Sequence, residues 1–264
     1  MQMAKRLVNG TCHICGEYAK LSFEHVPPRS AFNDRPALRK RIKDLYEGDL
    51  DDTRGEISQR GAGGYTLCES CNNRTGAWYG NAFVEWAYQC AHILYHTRGK
   101  ASLYYQYHIF PLRVIKQILC MFFSTNGSEF RVANEHLVAL VLNRKLNGFE
   151  PQIGIYAYFN ASGRSRNTGV AASANFNTGK VRILSEIAFP PMGYIMTFGS
   201  EPPNDKLVDI SFMAKYHYND WKSLSLPLPV LPIYTYFPGD YRDRDQVLRE
   251  AEASRNASRL VTLG

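Results

Sequence analysis

No run in this chain is both apolar enough and long enough to cross a membrane as a helix. The most apolar stretch, IFPLRVIKQILCMFF at 109–123, carries Arg113 and Lys116 and falls short of the roughly 20 apolar residues a span needs. The opening MQMAKRLVNGTC has two basic residues with no apolar run behind them, so no secretory leader is expected. The expectation is a cytoplasmic protein with no membrane partner. Internal repeats and long low-complexity segments are missing as well. Acid is the scarcer charge: 24 Asp and Glu stand against 31 Lys and Arg, a net +7 and a pI of about 9.0. That balance suits a polyanionic partner without establishing one. Cysteine is sparse, with six residues, and in a reducing compartment these are expected as thiolate ligands or core residues rather than disulfides.

What the chain does have is enough apolar material for a core. Hydrophobic residues make up 45% of 264, which argues against wholesale disorder and fits one large domain or two modest ones. The fold class expected is α+β. Residues 1–76 are loop-rich and polar. Within them the run 30–58 is split by charge, with Arg29, Arg35, Arg39, Lys40, Arg41 and Lys43 grouped ahead of Asp44, Glu47, Asp49, Asp51, Asp52 and Glu56. The acidic half reads as a solvated insertion, and the basic half is a candidate for phosphate contact.

GAGGYTLC (61–68) reads as a glycine bend entering a short strand, followed by a helix from Glu69. Trp78, Ala82, Phe83, Trp86, Cys90, Ile93 and Leu94 recur near helical spacing and form a core stripe, closed by TRGK at 97–100. Helices are expected over about 102–124 and 129–146. Beyond Pro151 short β-like runs take over: IGIYAYF, TGVAASANF, KVRILSEIAF, GYIMTF, LVDISFMAKYHY and LPIYTYF. They predict an antiparallel meander packed on the helices, with a charged helical tail from RDRDQVL onward. The turn at 162–167 offers Arg164 and Arg166 for phosphate.

Two cysteine pairs carry the strongest chemical signal. Cys12 and Cys15 form one C-x-x-C, and Cys68 and Cys71 form another. Two such pairs can supply four thiolates to one tetrahedral zinc. No thioredoxin-like βαβ pattern surrounds either pair. His13, inside the first knuckle, is expected to be exposed rather than ligating, and Cys90 and Cys120 lack partner spacing. Nine residues past the first knuckle comes FEHVPPRS, with Glu24 beside His25; directly after the second come Asn72 and Asn73. A neutral imidazole can accept a proton from water near pH 7. Carboxylate and amide oxygens suit a hard divalent ion.

In order and spacing, C-x-x-C, Glu-His-Val-x-Pro and C-x-x-C-Asn resemble the HNH endonucleases, in their zinc-stapled ββα-metal version, over roughly residues 10–80. The resemblance implies a metal-dependent endonuclease acting on DNA. His25 would be the general base that activates water. Glu24 and Asn72 would hold one magnesium or manganese ion, and Cys12, Cys15, Cys68 and Cys71 a structural zinc. Arg29 and Arg74 are candidate phosphate contacts, and Tyr65, Trp78 and Tyr79 candidate stacking surfaces, although core packing is the simpler role for Trp78. The family's middle Asn would fall near Gly63 or Gly64, where this sequence has none, and Asn33 and Asn73 are the candidate substitutes. Such modules often serve as effectors of bacterial restriction or anti-phage defence.

The expected organisation is a nuclease domain at 1–100 and, at 101–264, a helical connector with antiparallel β structure, of open role: a sensor or a partner-docking unit. A regulatory partner or small-molecule activator would act there, and a homodimer is open. The rival reading is a zinc-stapled nucleic-acid-binding module without catalysis.

Overall fold

A computed structural model describes residues 8–40, 55–98, 104–175 and 179–261. Most of the acidic half of the charge-split run, together with Arg41 and Lys43, lies outside the described residues. The N-terminal part is built on a three-stranded antiparallel sheet of β1 (Asn9–Thr11), β2 (Tyr18–His25) and β5 (Gly63–Cys68), in the order β1-β2-β5. A separate two-stranded hairpin, β3 (Ala37–Arg39) with β4 (Glu56–Ser58), lies between β2 and β5 in the chain.

β5 runs straight into α1 (Glu69–Thr75). Cys68 serves as the N-cap, its sulfur accepting from the Cys71 N–H at 3.4 Å, with acidic Glu69 in the first turn and basic Arg74 in the last. Both charges complement the helix dipole. A wide π turn, Gly76–Gly80, then swings Tyr79 into the interior, where its hydroxyl donates to the Val141 carbonyl at 2.9 Å. The chain continues as α2 (Asn81–Thr97) and stops at Arg98, in left-handed conformation. The predicted stripe is borne out: Phe83, Trp86 and Cys90 are buried on α2.

α3 (Pro111–Thr125) is the central element. Proline opens it, where a missing N–H costs nothing, and every residue from Pro111 to Ser124 except Arg113 is buried. A helix apolar on all sides belongs inside a protein. Lys116 is the exception within it. Its ammonium donates to the carbonyls of Asn143 and Leu146 at 2.8 and 2.6 Å, and burial lowers its pKa to about 8.

Two expectations for this region are corrected. Residues Tyr105–Ile109, read as part of a helix, form strand β6, which pairs with β12 (Lys222–Leu226). The helix expected over 129–146 is two shorter ones, α4 (Phe130–Ala133) and α5 (Glu135–Leu142), separated at Asn134.

The C-terminal part holds a five-stranded antiparallel sheet in the order β11-β7-β10-β9-β8. Its strands are β7 (Ile153–Phe159), β8 (Arg166–Asn175), β9 (Lys180–Phe189), β10 (Met192–Phe198) and β11 (Val208–Asp209). β8, β9 and β10 form a meander as predicted, whereas β7 pairs with β10 rather than β8; of the predicted extension Val208–Asp209 joins the sheet as β11. Ser211–Lys215 is a 3-10 turn, and the run LPIYTYF at 231–237 forms no strand, although Val230 just before it bridges to Phe159. α6 (Arg244–Val261) forms the charged tail.

One hydrophobic cluster runs from Cys12 through α2 and α3 to Leu228. Trp86 on α2 donates to the Tyr194 hydroxyl of β10 at 2.8 Å. Asn126, just past α3, donates to Ser185 of β9 and accepts from Val170 of β8. The sheet is therefore tied directly to the helices behind the N-terminal strands. Among the described residues no helix is long and apolar enough to cross a membrane.

Candidate metal and catalytic site

The first knuckle is a tight turn closed by backbone bonds. Cys12 N–H donates to the Glu17 carbonyl and Gly16 N–H to the Cys12 carbonyl, both at 2.9 Å. Gly16 sits at φ +80, where a side chain would be strained. The second knuckle spans the junction of β5 and α1. Together they bring the sulfurs of Cys12, Cys15, Cys68 and Cys71 within 4.8 Å of one another. The Cys15 and Cys68 sulfurs are 3.8 Å apart, matching the edge of about 3.8 Å of a tetrahedron with zinc–sulfur bonds of about 2.3 Å.

The electrostatics agree. The Cys71 thiol hydrogen-bonds to Cys12, which is driven down to about 4, while Cys71 is pushed up by that bond, by burial and by the neighbouring sulfurs. Burial pushes Cys15 up as well. Four sulfurs this close cannot all ionise unless a cation sits among them. Geometry and donor set fit zinc. His13 is not a fifth ligand. It is half-buried rather than exposed, with Nδ1 3.1 Å from the Phe123 carbonyl of α3.

Glu24 and His25 close strand β2 opposite Gly64 and Gly63 of β5. Successive residues of a strand leave opposite faces, and these two do. Glu24 turns inward with Ser22, toward α1 and α3. His25 turns outward with Phe23, their rings meeting edge to face at 5.0 Å. The extra residue in the pairing is on β5, at Thr66, so the alternation along β2 holds.

Inside, the Glu24 carboxylate is buried beside Cys120, and burial raises its pKa to about 8. Among the described residues it has no hydrogen-bond or ion-pair partner. Asn72, at the first turn of α1, donates from Nδ2 to Ser22 Oγ at 2.9 Å, which leaves Oδ1 without a protein donor. The structure thus places Asn72 and Glu24 on the same face of β2, with Ser22 next to both. A carboxylate and an amide oxygen, each unpaired by protein, are the hard donors a magnesium-class ion takes.

Outside, burial lowers the His25 pKa, helped by the charges of Arg29 and Arg60, while the Arg60 backbone carbonyl accepts from the ring and opposes them. The net direction keeps the imidazole neutral. Arg60 lies 5.6 Å from the Phe23 ring centroid and donates to the Tyr65 hydroxyl at 3.0 Å. Residue spacing offered no sign of Arg60. The loop that carries it is recognisable only once β5 pairs with β2.

The candidates for the missing Asn are now placed. Gly63 faces His25 at φ +152, and a Cβ there would lie 2.1 Å from the Glu24 carbonyl oxygen, so no side chain fits. Asn33 is buried and fully used: it donates to the Pro27 and Ala62 carbonyls and accepts from Ala62 N–H, all at 2.7 Å. It ties the turn after β2 to the approach to β5 and is not free to ligate. Asn73 is exposed on α1.

Arg29 is exposed beside His25. Arg74 is exposed on α1, spanning Ser70 at 3.5 Å and the Trp78 ring at 5.9 Å. Tyr79 is fully buried and cannot stack on a base. Arg166 is likewise unavailable to phosphate, being buried in a bidentate pair with Glu186 at 2.7 and 2.9 Å. No family model, curated protein or solved structure matches this chain.

Proposed function

We infer that the chain is a metal-dependent phosphodiesterase, and within that class an HNH-type endonuclease acting on DNA. The observation that carries this reading is the terminal pair of β2. A buried carboxylate without a partner lies on one face and a neutral, carbonyl-held imidazole on the other. A four-cysteine site fixes this ribbon against the helix that carries Asn72. Two antiparallel strands followed directly by a helix is the order that a ββα-metal centre requires.

In this reading the four sulfurs hold zinc as a staple, because their ligands come from the start of the ribbon and from its junction with α1. Glu24 and Asn72 Oδ1 hold a magnesium or manganese ion, which when bound supplies charge stabilisation on the phosphate and the leaving oxygen. His25 removes a proton from the attacking water. Its lowered pKa keeps it unprotonated near pH 7, and the Arg60 carbonyl fixes the ring and favours the imidazolium that forms. Arg29 and Arg60 place positive charge beside His25, and the scissile phosphate would have to lie round the end of β2, where β2 stops at His25, to meet both the water at His25 and an ion on Glu24 and Asn72. Burial of Glu24 without a protein partner is costly unless a cation compensates it.

The test is cleavage of plasmid and single-stranded DNA with magnesium or manganese, by the wild type and by His25→Ala. A zinc-loaded wild type that binds DNA but never cuts it would favour a binding module instead.

A further inference from the structure

A cleft of about 460 Å³ opens between the two halves of the chain. Its walls come from the β3–β4 hairpin, the start of β5, the end of α3 and the turn leading into β8. It lies on the inner face of the ribbon, the face of Glu24, since Val26 and Gly64 line it and Thr66 on its wall donates to Ser124 of α3 at 3.0 Å.

The lining is chemically one-sided. Arg39 and Lys40 contribute two positive charges, and among the described residues no carboxylate lines the cleft. Glu56, the register partner of Arg39, lies outside the lining. Arg39 is held in place by donating to the Gly63 carbonyl. Deeper in, Thr125 Oγ1 is shielded from solvent and has no hydrogen-bond partner. A buried hydroxyl left unpaired is costly, and Thr125 borders the cleft. Ser165 and Asn167 add polar side chains from the C-terminal half. Cations and hydroxyl or amide donors without acid are the complement of a phosphate.

The size is that of a small-molecule site. Among the described residues no aromatic ring lines the cleft, and stacked platforms are what successive bases of a single strand use. We propose that this cleft binds a free phosphorylated ligand of nucleotide size, its phosphate between Arg39, Lys40 and Thr125 and its remainder against Ser165 and Asn167. A ligand seated there touches both halves of the chain at once. The proposal stands whether or not His25 cleaves anything.

Calorimetric titration of the zinc-loaded full chain, at matched ionic strength, tests it with four probes: inorganic pyrophosphate, adenosine 5′-monophosphate, adenosine, and a single strand of about ten nucleotides. Pyrophosphate and the monophosphate are expected to bind and adenosine is not. Lys40→Gln, at a half-buried position, should weaken both about tenfold, and Thr125→Val, nearly isosteric, several-fold. His25→Ala should bind as the wild type. Adenosine binding as tightly as the monophosphate, binding of the strand alone, no heat from any probe at millimolar concentration, or wild-type affinity in both cleft variants would overturn the proposal.

Discussion

Replacing Glu24 by Gln separates a structural carboxylate from one kept for a cation. The folded-state pKa of Glu24 is raised from 4.5 to about 8 by burial. Between those values the folded protein holds a proton that the unfolded chain has released, so stability falls as pH rises through the window. The penalty is absent below about pH 4.5 and complete above about pH 8. At about 1.36 kcal/mol per unit, it amounts to roughly 3 kcal/mol at pH 7. Gln carries the same shape without the charge. Zinc-loaded protein in buffer free of other divalent ions is therefore expected to show Glu24→Gln gaining on the wild type by roughly 3 kcal/mol between pH 5 and pH 7. Urea unfolding at pH 5, 6, 7 and 8 measures that gap. Millimolar manganese should then restore the wild type, by about 2.7 kcal/mol at a hundredfold excess over Kd, and leave the variant unmoved. A gap that does not change with pH, or equal stabilisation of both proteins by manganese, would refute the reasoning.

Three further outcomes follow from the same geometry. Cys68→Ser should lose zinc by metal analysis and fold poorly, since it removes both a ligand and the sulfur that caps α1, whereas His25→Ala should keep its zinc. Gly63→Ala should cost several kcal/mol in thermal or urea unfolding with zinc retained, because its Cβ meets the Glu24 carbonyl oxygen at 2.1 Å; wild-type stability would show that the ribbon end is loosely held. Glu186→Gln should destabilise by about 3–5 kcal/mol, leaving Arg166 buried opposite a neutral amide and weakening the bonds from the Tyr158 hydroxyl and Gly239 N–H; a loss under 1 kcal/mol would mean the pair is solvated.

The candidate site was legible in the sequence where its logic is local. Two C-x-x-C pairs announce a tetrathiolate centre because two intervening residues let both sulfurs reach one ion. Gly61, Gly63 and Gly64 announced the bend before β5, and the Trp86 stripe announced the buried face of α2. What could not be read depends on partners distant in the chain. Tyr105–Ile109 looked helical because its strand partner, Lys222–Leu226, lies far along the sequence. Arg60, whose backbone and charge both act on His25, is brought there by a loop that spacing alone does not reveal. Arg166 looked like a surface residue on a turn until β8 and β9 set it against Glu186. Lys116 was read as a charge that excludes a membrane span, and it does carry that charge into the core, where two carbonyls past α5 receive it.

The central claim is that Glu24, His25 and Asn72 form a hydrolytic centre on a zinc-stapled ribbon. The direct measurement is supercoiled plasmid incubated with zinc-loaded protein in magnesium or manganese, beside His25→Ala and Asn72→Ala of matched zinc content. Nicking or linearisation by the wild type is expected, lost with either variant and on removing the added ion. Cutting by His25→Ala at the wild-type rate, or no cutting by wild type in any divalent ion, contradicts it.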